Sequence, residues 1–188
     1  MTEAHGVGSS ILPRPIKMYL IFKNPAILVI LIYLPQLILM FFSKHFSNNF
    51  NNTISNSKKD FFLEVFTGIV LGGILIYAYF SEISGNLILG FLVYFIGLIL
   101  TYVGYFQFLF SKKKLVKNGI YSISRNPTYL FTTLSLIGIC ALINSLILTL
   151  IVIVHFILTH QVILKEEKYL EKKFGNDYLE YKKRVRRY

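Results

Sequence analysis

Polar side chains that can bind charged ligands are concentrated in two segments of this chain. Residues 111–129 read SKKKLVKNGIYSISRNPTY, and residues 165–188 read KEEKYLEKKFGNDYLEYKKRVRRY. Each segment begins where a long apolar run ends. Carboxylates, guanidinium groups and phenols can together form strong hydrogen bonds with a small ionic molecule. We therefore expect the chemistry of this chain at one end of its apolar helices.

The first polar segment contains the predicted start of a helix. Asn126 is a good N-cap and Pro127 suits the first helical position, so a helix is expected to begin at Pro127. Its free backbone N–H groups would suit a carboxylate or phosphate, with Arg125 and Tyr121 before them and Tyr129 after them. An interfacial loop with tyrosines and topology-setting lysines explains this segment equally well.

The second polar segment places two adjacent carboxylates on different sides of a helix. Glu167 is rotated by about 100° from Glu166, so it is predicted to face water with the lysines. A carboxylate among apolar residues costs several kcal/mol unless a cation meets it, which makes Glu166 the candidate binding residue. A slightly rotated helix that leaves Glu166 interfacial is the alternative. The stripe that includes Glu166 recurs at three- and four-residue steps and consists of Ile163, Glu166, Leu170 and Phe174.

The end of the second segment predicts a further helix. Gly175 is typical of a helix end, and Asp177 followed by Glu180 has the spacing of a capping box. This helix would place Tyr178, Tyr181 and Val185 on one side and most of the basic residues elsewhere. The pattern fits a helix that lies on an anionic membrane surface or packs beneath a helical bundle.

The composition of the whole chain is typical of a membrane protein. Of its 188 residues, 54% are hydrophobic and 15% are charged, and the mean hydropathy is +0.57. Runs long enough to cross a hydrocarbon core occupy residues 25–42, 61–80, 87–110 and 129–164, and the last has room for two crossings joined at Asn144-Ser145. We predict an all-α integral membrane protein with a bundle of about five transmembrane helices and a cytoplasmic C-terminal helical cap.

The basic residues predict the orientation of this bundle. A cytoplasmic C-terminus and an external N-terminus put 17 of the 20 lysines and arginines on the cytoplasmic side, as multi-pass proteins require. The expected organisation is an N-terminal segment (1–24), three transmembrane helices (25–110), and a part with the polar motifs, a transmembrane hairpin and tail helices (111–188), all in one structural domain. The net charge of +11 is then explained by topology and anionic head groups, so the expected partner is the lipid bilayer and not a nucleic acid.

Residues that often bind metals are too few and too scattered here to predict a metal site. His155 and His160 lie about 140° apart around a helix, so they do not share a face as a metal-binding pair would. The single cysteine, Cys140, can form neither an intrachain disulfide nor a metal site alone.

Together, the two polar segments resemble the integral-membrane methyltransferase superfamily of isoprenylcysteine carboxyl methyltransferases and phospholipid N-methyltransferases. The similar parts read LVKNGIYSISRNPTYL and EEKYLEKKFGNDYLEYKKRV, and one helical hairpin separates them as in that superfamily. The first three predicted crossings carry no motif and match only as hydrophobic spans.

The resemblance implies a cytoplasm-facing pocket for S-adenosylmethionine. Glu166 would receive the α-ammonium group of this cofactor, which agrees with the periodicity that selects Glu166. In the catalytic roles, Arg125 would orient an anionic acceptor, and Glu167 is one candidate base for an amine acceptor, beside His160 and water. The residues implied in cofactor binding are Gln107, Lys113, Lys114, Leu115, Val116, Gly119, Tyr121, Asn126, Pro127, Thr128, Tyr129 and Glu166.

Three positions depart from the pattern of the superfamily. Asn126 replaces the commoner histidine, which keeps hydrogen-bonding capacity but removes a titratable group. Phe131 stands where many relatives have glycine, so a tighter pocket wall is expected. Val162 stands where eukaryotic prenylcysteine enzymes have a substrate-binding arginine, so the class of the acceptor stays open.

The function implied is transfer of the sulfonium methyl group to a lipophilic acceptor, either a prenylcysteine-type carboxylate or a lipid, that enters from the bilayer. Methylation of a phospholipid head-group amine or of a small thiol is an alternative. Two further alternatives are a sterol-reductase-like enzyme that uses NADPH and a non-catalytic membrane protein. The Glu166-Glu167 pair and the short chain argue against the reductase, and the chain has no internal repeat of the kind that transporters favour.

Overall fold

A computed structural model of the protein describes residues 24–42, 58–111 and 115–188. Within these ranges the chain is helical and forms no β-strand. Residues 1–23 and the implied cofactor residues Lys113 and Lys114 lie outside the described ranges. The helices are α1 (Pro25–Phe42), α2 (Lys58–Phe80), α3 (Leu87–Phe110), α4 (Pro127–Ile143), α5 (Leu146–Phe174) and α6 (Asn176–Arg184), with a 3-10 turn at Gly119–Ser122 between α3 and α4.

The bounds of the helices follow the apolar runs of the sequence. Helices α1 and α3 have the predicted bounds, and α2 begins a few residues before its run, at Lys58. The apolar part of α5 ends at Leu164, but the helix continues through the charged residues 165–174 beyond it. Backbone hydrogen bonding does not depend on apolar side chains, so this helix extends past its apolar part.

The predicted break between α4 and α5 is confirmed. Asn144 has a left-handed backbone with φ of 54°, a conformation that asparagine tolerates better than most residues, and it ends α4. Ser145 then starts α5 as an N-cap, where its Oγ accepts a hydrogen bond from the backbone N–H of Leu148 at 3.3 Å. The two helices therefore form a hairpin.

Two of the described helices, α3 and α5, are long and apolar enough to cross a membrane. Shorter apolar helical stretches occupy Pro25–Pro35, Val65–Phe80 and Pro127–Ile143. Large apolar side chains such as Ile88 and Phe80 are 85% and 80% exposed, as they would be on a surface that faces lipid. The described structure thus contains two candidate spans, and the five-span bundle stays a prediction.

Glycines allow α3 and α4 to pack in close contact. Gly90, Gly97 and Gly104 are spaced by seven residues along α3, and each faces a residue of α4. A Cβ atom at Gly97 would lie 2.6 Å from the backbone N of Ser135, so the two helices would have to move apart to accommodate it. Small residues at helix contacts are typical of membrane bundles, because they let backbones approach closely. This contact fixes the start of α4 relative to the end of α3.

Tyrosines of α3 hold α1 against the bundle. The hydroxyl of Tyr94 donates to the backbone carbonyl of Leu28 at 2.9 Å, and that of Tyr102 donates to the carbonyl of Leu31 at 2.9 Å. His155 is buried in α5, and its Nε2 lies 3.4 Å from the hydroxyl of Tyr33 on α1. The buried histidine therefore has a neighbour on another helix.

The turn between α2 and α3 meets the turn between α4 and α5. Ser84 Oγ donates to the carbonyl of Ile143 at 2.8 Å, and the N–H of Gly85 donates to the carbonyl of Leu142 at 2.8 Å. These contacts define one end of the bundle. Both polar segments lie at the other end, where α3 ends and α4 begins.

The last helix differs from its prediction in how it starts. Gly175, with φ of 53°, ends α5 and also occupies the N-cap position of α6. The predicted capping box of Asp177 and Glu180 is wrong, because α6 begins at Asn176, two residues before the start that an N-cap at Asp177 would give, and has no side-chain cap. The prediction that Tyr178 and Tyr181 share a side is confirmed, and this side is buried, since the two residues are 1% and 3% exposed. Val185 does not continue that side, because it follows the helix as its C-cap with an extended backbone.

Candidate functional site

A cavity of about 110 Å³ lies at the polar end of the bundle. The end of α3, the loop of residues 115–126 (the motif loop), the start of α4, the charged part of α5 and the helix α6 surround it. The sequence-predicted site residues that line this cavity are Leu115, Val116, Tyr121, Arg125, Asn126, Thr128, Tyr129 and Glu166. The structure therefore brings most of the predicted residues together, from segments that are far apart in the sequence.

Glu166 is a half-buried residue in the wall of this cavity. It is hydrogen-bonded to the side chain of Tyr129, but its Oε2 is buried without a hydrogen-bond partner. Burial raises the pKa of Glu166 above the ordinary glutamate value, the hydrogen bond from Tyr129 opposes this rise, and the neighbouring Glu167 adds to it. An unsatisfied buried carboxylate oxygen costs free energy that a cationic ligand would remove.

The prediction that Glu167 faces water is wrong. Glu167 is only 2% exposed, and three side chains bind it. Arg187 donates from Nε to Oε1 at 2.9 Å and from Nη2 to Oε2 at 2.8 Å, and Asn126 donates from Nδ2 to Oε1 at 3.1 Å. Arg125 Nη2 lies 3.3 Å from the same Oε1. Helical periodicity shows which residues share a side of a helix, but it does not show what covers that side. Here the motif loop and residues near the end of the chain cover the side of α5 that was expected to face water.

The surroundings of Glu167 keep it ionised. Burial would raise the pKa of Glu167, but the hydrogen bond from Arg187 and the charges of Arg125 and Arg187 outweigh burial, so the pKa is lowered. The Glu167 carboxylate also raises the pKa of Arg187. Glu167 does not line the cavity. A carboxylate with a lowered pKa, held by several donors, is poorly suited to accept a proton from a substrate.

Arg125 lines the cavity with a side chain that is only 7% exposed. Its Nη1 is 3.5 Å from the backbone carbonyl of Lys182, and its backbone N–H donates to the carbonyl of Arg186 at 2.9 Å. Its Nε is buried and has no hydrogen-bond partner. Arg125 is thus tied to the end of the chain and keeps one unused donor beside the cavity.

The start of α4 has the predicted position but not the predicted cap. Asn126 occupies the N-cap position and Pro127 the first helical position, yet the Asn126 side chain binds Glu167 and makes no cap hydrogen bond. Pro127 is buried, has no N–H and does not line the cavity. Thr128 and Tyr129 do line it. The first turn of α4 therefore presents backbone N–H groups without a side-chain cap next to the cavity.

Gln107 and Gly119 lie beside a second, more open cavity of about 550 Å³. It adjoins the first cavity, because Ser111, Leu115 and Val116 line both. Gln107 Oε1 accepts a hydrogen bond from the N–H of Ile120 at 3.2 Å, and Gly119 has φ of 64° against the Gln107 side chain. These two residues therefore stabilise the turn of the motif loop.

Several residues of the site were not predicted. Tyr178 and Tyr181 of α6 line the cavity, and the Tyr178 hydroxyl is buried without a hydrogen-bond partner. The Tyr181 hydroxyl donates to the carbonyl of Tyr121 at 2.6 Å, and burial raises the pKa of Tyr181 to about 12. The spacing of the two tyrosines was a usable signal, because it placed both on the same side of α6. Nothing in the sequence distinguished Arg187 from the other basic residues around it.

The cavity combines groups of opposite charge with aromatic walls. Glu166 offers an unpaired carboxyl oxygen, while Arg125 and the first turn of α4 offer donors. This arrangement is suited to a zwitterionic molecule that carries an ammonium and a carboxylate group. In the ranges that the structure describes, no three histidine, cysteine, aspartate or glutamate residues come together as a metal site would require.

Comparison with known protein families agrees with this geometry. The model of the family described as "Phospholipid methyltransferase" matches residues 68–177, which is more than half of the chain. Neither the curated proteins nor the solved structures yielded a significant match. The matched range includes α3, α4, α5 and the motif loop. The chain therefore belongs to the phospholipid methyltransferase family, within the isoprenylcysteine carboxyl methyltransferase-like superfamily of membrane methyltransferases.

Proposed function

We propose that this protein transfers a methyl group from S-adenosylmethionine to a lipid acceptor at the membrane. The family assignment supports a membrane methyltransferase that acts on lipid-type substrates. The observation that carries the use of this cofactor is the Oε2 atom of Glu166, which is buried without a hydrogen-bond partner in a residue that lines the cavity. When bound, the cofactor would supply an electrophilic methyl group on a sulfonium sulfur.

The residues present fit the amino-acid end of this cofactor. Glu166 would accept charge-assisted hydrogen bonds from the α-ammonium group, while Tyr129 holds the carboxylate in place. The uncapped N–H groups at Thr128 and Tyr129 would hold the α-carboxylate, as helix N-termini commonly hold anions. The other predicted contacts, Leu115, Val116 and Tyr121, would form the remaining wall.

The main catalytic task of these residues is to align the reactants. Methyl transfer requires the acceptor atom, the methyl carbon and the sulfur in line, and such orientation is worth roughly 7–11 kcal/mol. Aromatic side chains around the cavity, such as Tyr121, Tyr169 and Phe174, would exclude water and strengthen the electrostatic contacts of Glu166.

Among the alternatives for the acceptor, we favour a lipid. Val162 supplies no positive charge for a prenylcysteine carboxylate, which weakens that alternative. An amine acceptor must lose a proton, and the ionised, triply bound Glu167 is a poor base for it, so we propose that water takes that proton. The family assignment favours this function over a reductase that uses NADPH and over a non-catalytic role.

Transfer of labelled methyl groups tests this function. Purified protein is mixed with a lipid extract and S-adenosylmethionine labelled in the methyl group, and label in the lipid fraction is counted. Wild type and Glu180→Gln, which changes an exposed carboxylate on α6, are expected to transfer label. Glu166→Gln is expected to lose roughly 10- to 100-fold in rate at subsaturating cofactor, because a hydrogen bond to a charged group is lost. No label above background with the wild-type protein would refute the function.

A further inference from the structure

The last residues of the chain form a strap across the motif loop. Residues 185–188, the C-terminal strap, follow α6 outside any helix, and Val185 at its start has an extended backbone. Ser124 Oγ donates to the carbonyl of Arg187 at 2.7 Å, and the N–H of Arg125 donates to the carbonyl of Arg186 at 2.9 Å. The hydroxyl of Tyr188 lies 2.6 Å from Nδ1 of His160 on α5. The strap lies outside residues 68–177, so the family match does not account for it.

We propose that Arg187 is a positioning residue of the cofactor pocket, which holds Glu167 so that Arg125 and Asn126 keep their places in the pocket wall. This inference rests on the proposed function, because it concerns the same cavity. Arg187 is not among the residues that line the cavity. It acts through the carboxylate of Glu167, which it binds with two hydrogen bonds.

The geometry shows why Glu167 needs Arg187. Arg187 binds both carboxylate oxygens of Glu167, at 2.9 and 2.8 Å, whereas Arg125 makes one longer contact of 3.3 Å. Arginine and carboxylate groups favour paired hydrogen bonds in this fork geometry. Without Arg187, Arg125 would be the remaining arginine that contacts the buried and ionised Glu167. Its guanidinium group would then turn to bind both oxygens and leave the cavity wall.

The backbone contacts of the strap add to this effect. The carbonyls of Arg186 and Arg187 accept hydrogen bonds from Arg125 and Ser124, and Ser124 Oγ accepts one from the N–H of Asn126 at 3.1 Å. Arg125 and Asn126 are thus held through their side chains by Glu167 and through their backbone N–H groups by the strap and Ser124. A displacement of about 1 Å at such positions can cost roughly 100-fold in rate.

The charged groups around Glu167 predict a second measurable effect of losing Arg187, on the pH at which Glu167 is protonated. Besides Arg187, the neighbouring groups are Arg125 and Asn126 of the motif loop, Tyr178 and Tyr181 of α6, Tyr188 of the strap, and Glu166 on the same helix. Arg187 and Arg125 lower the pKa of Glu167 against its burial. Loss of Arg187 should therefore raise this pKa, so that acid protonates Glu167 and loosens the pocket wall at a higher pH.

The test uses full-length protein with three matched variants. Arg187→Gln removes the charge, and Arg187→Lys keeps the charge but cannot bind both oxygens as a planar fork does. Arg186→Gln is the control, because Arg186 is exposed and contributes its backbone carbonyl to Arg125. Hydrogen exchange of residues 120–126 is measured without ligand, and the affinity for S-adenosylhomocysteine, the demethylated cofactor, is measured between pH 5 and 8.

We expect the backbone amide hydrogens of residues 120–126 to exchange faster in Arg187→Gln than in Arg186→Gln. We also expect it to bind S-adenosylhomocysteine roughly 10- to 100-fold more weakly, within the range of couplings between groups in contact, and to lose affinity in acid at a higher pH than wild type. Arg187→Lys should recover part of each loss. Equal exchange, affinity and pH dependence in Arg187→Gln and Arg186→Gln would overturn the inference, while binding by wild type in that same experiment would leave the proposed function intact. If wild type fails to bind, the proposed function fails and hydrogen exchange alone decides the role of Arg187.

Discussion

Two adjacent carboxylates at the end of α5 have opposite electrostatic surroundings. Glu166 has one side-chain hydrogen bond and an unsatisfied oxygen, so burial raises its pKa. Glu167 has two arginines and an amide around it, so its pKa is lowered although it is also buried. One carboxyl group therefore keeps an oxygen without a hydrogen-bond partner, and both oxygens of the other are bound by side chains.

At the residue scale, Glu167→Gln is expected to destabilise the protein. The change leaves Arg125 buried without its counter-charge, and breaking a buried ion pair costs roughly 3–5 kcal/mol in the free energy of unfolding. Because Arg187 is partly exposed, at 28% for its side chain, we expect the lower end of this range. Thermal or denaturant unfolding in detergent would measure the loss, with Glu180→Gln as the control.

The lowered pKa of Glu167 also predicts how the stability of wild type, compared with Glu167→Gln, depends on pH. A lowered folded-state pKa contributes stability that is present above the unfolded pKa and is lost as the pH falls through the folded pKa. Wild type should therefore lose this stability only in acid, below the ordinary glutamate range near about 4. Glu167→Gln should lack that contribution at neutral pH. Equal stability of the two proteins at pH 7 would contradict the ion cluster.

At the scale of helices, the α3–α4 contact positions the cavity. A Cβ atom at Gly97 would meet the backbone N of Ser135 at 2.6 Å and the backbone carbonyl of Phe131 at 2.7 Å. Gly97→Ala is therefore expected to cost roughly 1–3 kcal/mol of stability through overpacking, and to weaken binding of S-adenosylhomocysteine because α4 shifts.

Gly72 provides the matched control for this substitution. A Cβ atom at Gly72 on α2 would have nothing within 4 Å, so Gly72→Ala should cause no loss of stability or binding. Unfolding midpoints and affinities of the two variants, measured side by side, check the prediction. A Gly97→Ala protein as stable as Gly72→Ala would show that the helices are not in such close contact.

Local signals in the sequence predicted the helices well. Long apolar runs, the Asn144-Ser145 break and Pro127 each depend on neighbouring residues, and the structure has helix boundaries at all three kinds of signal. Periodicity likewise selected Glu166, which lines the cavity as a half-buried residue. These features could be read because their causes lie within a few residues of one another.

Contacts between distant segments could not be predicted from such local signals. The fate of Glu167 depends on Arg187, which comes 20 residues later and has basic neighbours of the same type. Asn126 was expected to cap α4, but it binds Glu167 on another helix instead. A cap is a local preference of about 1 kcal/mol, and a buried carboxylate that needs donors outweighs it.

At the scale of the whole molecule, the proposed five-span topology makes a prediction about sidedness. Glu82 lies in the turn between α2 and α3, and Lys183 lies on α6, and both are exposed. Three helices, α3, α4 and α5, separate them, so the two positions should lie on opposite sides of the membrane. The basic residues predict that Lys183 is cytoplasmic.

Cysteine labelling in intact cells would test this topology. In a Cys140→Ser background, which removes the single native cysteine, a membrane-impermeant maleimide should label Glu82→Cys without permeabilisation. It should label Lys183→Cys only after permeabilisation. Labelling of both positions from the same side would rule out an odd number of crossings between them.

The central claim is that Glu166 binds the ammonium group of the cofactor, and equilibrium binding of S-adenosylhomocysteine tests it most directly. Because burial raises the pKa of unliganded Glu166, the affinity of wild type should increase as the pH rises through that pKa and the carboxylate ionises. Glu166→Gln should bind roughly 10- to 100-fold more weakly at neutral pH, with little dependence on pH, and Glu180→Gln should match wild type. Binding by Glu166→Gln with the affinity and pH dependence of wild type, or no binding by wild type at millimolar ligand, would contradict the account.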